Sequence, residues 1–173
     1  IVAGDIGCYT LAAMKPISGM DMQICMGASI GMGLGLRKVL PEAQARKVVS
    51  VIGDSTFMHS GLTGLLEMVY NPPPTGHVVV VVDNSTTAMT GQQEHPGTGR
   101  KLDHSPTHAV SIEDVAKAIG VQNVAVFKPV TEGEKFQKYL EEKLATDELT
   151  LIILRQPCLL AAAEIAKRKA AGK

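Results

Sequence analysis

Five consecutive valines, at positions 78–82, constrain the fold more than any other feature of the sequence. A strand with one wet face alternates apolar and polar residues. An unbroken β-branched run is instead expected of a strand covered on both faces, in the middle of a parallel sheet with helices above and below. Shorter aliphatic runs at 48–52, 124–127 and 149–154, with a further strand at 1–3, supply its neighbours. Between them the spacing of apolar residues predicts helices over 28–40, 60–70, 112–119 and 132–145, the second stopped by Asn71-Pro72-Pro73-Pro74. Ser111 before Asp114 and Thr131 before Glu134 have the capping-box arrangement and open the last two. Strand and helix alternate, so the fold class is α/β: a doubly wound, mostly parallel sheet with helices on both faces. The 173 residues leave room for one such domain, expected over 1–160, with the Lys/Ala-rich 161–173 as a terminal helix or linker stub. Starting without methionine, the chain reads as a segment of a longer protein.

Two stretches break the rhythm, 5–23 and the long polar 84–108. Each follows a strand and so belongs at the carboxyl edge of the sheet, where open α/β folds bind ligands. The sharpest motif lies at the same edge. Gly53-Asp54-Ser55-Thr56 ends one strand, and Asp83-Asn84-Ser85-Thr86 ends the next about 30 residues later. With the two strands adjacent, the Asp54 carboxylate, the Asn84 amide oxygen and a backbone carbonyl from the following loop can hold one hard cation such as magnesium. Gly53 permits a tight turn after its strand, and Ser55 and Thr56 bring donors for phosphate oxygens. Upstream, Gly27-Ala28-Ser29-Ile30-Gly31 opens a glycine-rich helix whose N-terminus suits an anion.

Plainer roles compete for several of these residues. Asp54 can cap the helix that follows its strand, and Cys8 can be a small buried hydrophobe rather than a cofactor contact. His59 is as easily structural as ligand-binding. Met89 and Thr90 either face a reacting carbon or only form a turn ending at Gly91. His104 and His108 have the spacing of a helical metal pair, but Pro106 between them excludes a regular helix and with it a zinc site. Lysines plus arginines number 17 and acids 17, so no net field draws the chain to nucleic acid or a lipid surface. Cys8, Cys25 and Cys158 form no CxxC pair and are expected as free thiols in a reducing cytoplasm. No apolar run approaches the roughly 20 residues that span a bilayer.

Thiamine diphosphate enzymes share a Gly-Asp-Gly motif followed about 30 residues later by paired asparagines. This sequence matches that spacing with Ser55 in place of the second glycine and Asp83 in place of the first asparagine. The fuller wording of 4–10, 24–31, 53–61 and 83–99 resembles the alpha subunits of indolepyruvate:ferredoxin oxidoreductases, of the 2-oxoacid:ferredoxin oxidoreductase family. The resemblance implies thiamine diphosphate and Mg2+ as cofactors, with Asp54, Asn84 and the carbonyl of Thr86 as metal ligands. It places Gly27, Ser55 and Thr56 at the diphosphate with Gly53 beside them. Gly7 and Cys8 would approach the diphosphate or thiazolium, and Met26 would give apolar support to the cofactor. The implied reaction is oxidative decarboxylation of an aryl pyruvate to an acyl-CoA, with ferredoxin as acceptor. The glutamate that activates the cofactor would come from a separate pyrimidine-binding domain, the iron–sulfur clusters from another, and a second subunit is expected; this sequence has no CxxCxxC run and no candidate for that glutamate. No catalytic residue is assigned within the chain. The alternatives are a non-oxidative decarboxylase of the sulfopyruvate or phosphonopyruvate type and a non-catalytic nucleotide- or partner-binding α/β module.

Overall fold

A computed structural model describes residues 1–170, the side chains of 164, 165 and 167–170 excepted. Five strands, β1 (Val2–Gly4), β2 (Val49–Gly53), β3 (His77–Asp83), β4 (Asn123–Phe127) and β5 (Leu149–Arg155), form one sheet in the order β1-β2-β3-β5-β4. Every pairing is parallel. The helices are α1 (Ala28–Val39), α2 (Glu42–Ala45), α3 (Asp54–Thr56), α4 (Leu62–Tyr70), α5 (Ile112–Ile119), α6 (Pro129–Leu144) and α7 (Leu159–Ala170). α7 falls on the expected terminal segment 161–173, whose last three residues lie outside the described ones.

The valine run is the central strand. Val79 and Val81 join Ile30, Leu34, Ile52, Phe57, Leu65 and Met68 on one face of the sheet. Val78 and Val80 join Val49 and Ile152 on the other, where Phe136, Tyr139 and Leu140 of α6 close over them. Strand alternation thus sends one run of identical residues into two cores, and the helices on each face follow from the need to cover both.

Two helix starts differ from the expectations. The helix after β2 begins at Asp54, not near 60, and passes through a π-turn at Phe57–Gly61 before continuing as α4. Such turns absorb an extra residue and recur at functional sites. Ser111 caps α5 as expected, its Oγ accepting from the Asp114 N–H at 3.1 Å. Thr131 does not cap α6, which opens three residues earlier than expected, with Lys128 as N-cap and Pro129 in the first turn, where its missing N–H is not needed. The Glu132 carboxylate reaches back to the Lys128 N–H at 3.0 Å, while the Glu132 backbone leaves the helical region (φ −125, ψ 23).

β3 also opens on a buried histidine. Ser50 Oγ donates its one proton to the Ser29 carbonyl at 2.8 Å, so the 2.9 Å contact with His77 Nε2 must be a donation from the ring. The other ring nitrogen, Nδ1, is buried without a hydrogen-bond partner among the described residues. Burial, with the nearby Arg37 charge, pushes the His77 pKa down to about 3. The unfolded chain takes up this proton near pH 6.5 while the folded chain refuses it until about 3, so stability is fully present above 6.5 and drains as pH falls through that window. Urea unfolding at several pH values between 7 and 4 is expected to show this acid slope in the wild type. The slope shrinks by close to one proton in His77→Gln, which keeps a donor for Ser50 but does not titrate.

Candidate functional site

β2 and β3 are neighbours in register, with Gly53 opposite Val82, and this brings the two halves of the motif together. Gly53 leaves the strand in extended conformation (φ −78, ψ 155), and its N–H donates to the Tyr9 hydroxyl at 3.1 Å. Asp54 follows as the first residue of α3, 2% exposed. Its carboxylate does not cap that helix. Oδ2 accepts from the Ser85 N–H at 2.8 Å and lies 3.2 Å from His95 Nε2. Ser85 sits in the left-handed region (φ 61), and its N–H is shared with Asp83 Oδ1 at 3.0 Å. Strain of that kind in a non-glycine residue persists only where neighbours hold it, and here two carboxylates hold one amide. Asn84 Oδ1 accepts from the Thr86 N–H at 3.1 Å, and Ser55 and Thr87 join their hydroxyls at 2.6 Å.

Behind this loop, Arg155 donates from Nε to Asp83 Oδ2 at 2.6 Å and grips Glu113 with its other nitrogens at 2.8 and 3.0 Å. Burial raises the Asp83 pKa and the neighbouring Asp54 raises it further, against the pull of Arg155. The Arg155 hydrogen bond in turn lowers Glu113. Asp83 therefore serves as a brace tied to Arg155, while Asp54 and Asn84 line the cleft.

The stretch after β1 forms the opposite wall. Asp5, fully buried, accepts from the N–H groups of Ile6 (2.9 Å) and Gly27 (2.6 Å) and from Ser29 Oγ (3.3 Å). Gly27 has φ 93, and a Cβ there would run into the Ser60 side chain, so glycine is required for both reasons. Its N–H is engaged with Asp5, and Gly27 lies outside the cleft that the other candidates share. That cleft takes Gly7, Cys8 and Met26 from this wall, Gly53 to Thr56 from the end of β2, and Asn84 and Thr86 from the end of β3. Met89 and Thr90 line it as well, although the Thr90 hydroxyl is turned to Gln93 Oε1 at 2.8 Å. Ile6, Val82 and Ala88 make part of the lining apolar. His59 is exposed and not among the lining residues. His104 Nδ1 meets Glu94 Oε1 at 3.0 Å. The three cysteines carry no disulfide.

Tyr9, Thr87 and His95 were not singled out by the sequence. Tyr9 lies within the wording 4–10 already noted, and His95 within the long polar loop, but only the tertiary contacts give them roles. Burial, followed by the negative charge of Asp5, raises the Tyr9 pKa, so its phenol stays protonated.

The donor set suits a hard cation and an anionic cofactor together: a buried carboxylate, an amide oxygen, hydroxyls and the start of a helix at one sheet edge. Among the described residues no three His, Cys, Asp or Glu side chains converge as a metal site. A cation here would depend on Asp54 supplemented by amide and carbonyl oxygens, and it would offset the charge crowding that raises Asp83.

A sheet edge with an Asp and an Asn at adjacent strand ends suits a phosphate-bearing ligand with its cation, and similarity to known proteins gives the class. Residues 5–154 match the family described as the thiamine pyrophosphate enzyme, C-terminal TPP binding domain, and the chain belongs to that family. Within it, the chain is 45% identical over 156 residues to the indolepyruvate oxidoreductase subunit IorA of Archaeoglobus fulgidus, an alignment covering 90% of this chain and 24% of that protein. It is 38% identical over 170 residues to the IorA subunit of Thermococcus kodakarensis, covering 92% of this chain and 26% of that one. The chain thus spans about a quarter of the length of these relatives. A structure of 2-oxoglutarate:ferredoxin oxidoreductase from Magnetococcus marinus shares the fold, with a TM-score of 0.73 at 15% identity over 91% of this chain and 54% of that one. Among the described residues no helix is long and apolar enough to cross a membrane.

Proposed function

We propose that this chain is the diphosphate- and magnesium-binding part of a cytoplasmic oxidoreductase that oxidatively decarboxylates aryl pyruvates such as indolepyruvate, giving an acyl-CoA and reduced ferredoxin. The observation that carries the proposal is the meeting of Gly53 to Thr56 with Asn84 and Thr86 around one cleft. The identity to indolepyruvate oxidoreductase subunits supports the substrate class.

In this reading Asp54, Asn84 and the Thr86 carbonyl hold Mg2+. Ser55 and Thr56 stand in the first turn after β2 and offer hydroxyls and N–H groups to the diphosphate. Gly53 faces the Tyr9 ring, where a Cβ would make only an ordinary van der Waals contact at 3.4 Å. Gly7 and Cys8 close the cofactor from the opposite wall, and Met26 and Met89 supply apolar surface that excludes water. Bound thiamine diphosphate supplies the nucleophilic carbon and the electron sink for decarboxylation. The chain's own residues bind, orient and desolvate it. The relatives' greater length leaves room for a pyrimidine-binding domain and an iron–sulfur domain outside these residues, and a second subunit completes the enzyme in this reading.

The complete enzyme, given indolepyruvate, coenzyme A and oxidised ferredoxin, is expected to reduce ferredoxin only when coenzyme A and keto acid are both present. Release of the aldehyde with no electron acceptor would point instead to a non-oxidative decarboxylase.

A further inference from the structure

We infer that His95 is a positioning residue for the candidate metal site: by donating from Nε2 to Asp54 Oδ2, it fixes which carboxylate oxygen is left for a cation. The inference rests on the reading of Asp54 as a metal ligand. The two side chains are 2% and 3% exposed and meet at 3.2 Å. On the far side of the ring, Nδ1 accepts from the Gly97 N–H at 3.2 Å, so Nδ1 carries no proton and Nε2 carries the only one. The ring therefore meets Asp54 as an N–H donor.

The Pro96-Gly97 turn holds the ring in place, and even a Cβ at Gly97 would stand 3.0 Å from its Cε1. Ser85 N–H reaches the same Asp54 oxygen at 2.8 Å. With two donors on Oδ2 and the Asp83 carboxyl also within hydrogen-bonding reach of Asp54, rotating the carboxylate would break both Oδ2 bonds. His95 itself faces a polar hollow beside Asp83, Glu113 and Arg155, not the cleft, so it acts through Asp54 and not on a ligand. Support of this kind from behind a ligating group sets both its orientation and its affinity for the metal.

The test uses Mn2+ as a spectroscopic probe for Mg2+, with thiamine diphosphate present, in the complete enzyme carrying His95→Asn or His95→Gln. The glutamine amide nitrogen can take the place of Nε2 and restore the donor. The asparagine amide extends only as far as Nδ1 and cannot reach Asp54. In His95→Asn the Mn2+ dissociation constant is expected to rise about 10- to 100-fold with an altered Mn2+ resonance spectrum, while His95→Gln stays within about threefold of wild type. Wild-type Mn2+ affinity in folded His95→Asn, or equal weakening in both variants, would overturn the inference. If the wild type takes up no Mn2+ with thiamine diphosphate and Asp54→Ala is indistinguishable from it, the metal-site reading fails first and the role of His95 falls with it.

Discussion

Asp54→Ala is expected to abolish magnesium-dependent binding of thiamine diphosphate. Losing a residue that merely supports a metal ligand costs about 10- to 100-fold in metal affinity, and losing the charged ligand itself should exceed that. No substitute is at hand: Asp83, the nearest carboxylate, is bound to Arg155 at 2.6 Å. The change also takes the acceptor from His95 Nε2, at about 1–3 kcal/mol for a buried group, while the Ser85 N–H keeps only Asp83 Oδ1 at 3.0 Å. Stability must therefore be measured alongside binding. Asp54→Asn separates the two effects, because an amide oxygen can still accept those bonds but brings no charge to the cation. Titrating cofactor affinity against Mg2+ should find both variants insensitive to the metal, with Asp54→Asn the more stable to urea.

The second large effect lies at the opposite edge of the sheet. Arg37, 3% exposed, has no carboxylate partner among the described residues; its guanidinium donates to the carbonyls of Val48 (2.8 Å), Thr75 (2.8 Å), Gly76 (2.8 Å) and Arg46 (3.2 Å). It thereby ties the end of α1 to the segments that lead into β2 and β3. Burial, with the charge of Arg46, pushes its pKa down to about 10, so it remains cationic at neutral pH. Arg37→Met would fill much of the space and strand those carbonyls, and it is expected to cost about 3–5 kcal/mol in urea unfolding. That is a large share of the stability of an ordinary domain, about 5–15 kcal/mol. Arg37→Lys keeps the charge but replaces a planar fork with a single ammonium and should recover only part of the loss.

Much of the architecture is legible in the sequence because it depends on neighbours along the chain. The five-valine run announced a strand buried on both faces, and the strands fall within about one residue of where the apolar runs placed them. The Asp54 and Asn84 pairing was legible for a related reason. One parallel crossover puts consecutive strand ends side by side, so residues 30 apart in sequence meet without any long-range information.

What stayed hidden was set by tertiary contact. Nothing local ties His95 to Asp54, Arg155 to Asp83 or Tyr9 to Gly53; those pairs are 41, 72 and 44 residues apart. The helix start at Asp54 was missed because the π-turn shifts the apolar spacing, so the 3.6-residue period becomes regular only beyond it. Thr131 looked like a cap because its spacing to Glu134 fits the pattern. Pro129 and the Glu132 carboxylate supply a better start three residues earlier. Gly27 stood out as a glycine before a helix, but its N–H is bound to a carboxylate 22 residues upstream.

The most direct test of the central claim is a calorimetric titration with thiamine diphosphate, with and without Mg2+, comparing wild type with Asn84→Ala, in this chain and again with the pyrimidine-binding part of the enzyme restored. The expected result is binding heat that needs the metal and disappears in the variant. Absence of binding even with the second domain present, or binding indifferent to both Mg2+ and Asn84, would contradict the assignment of this cleft to the diphosphate and its cation.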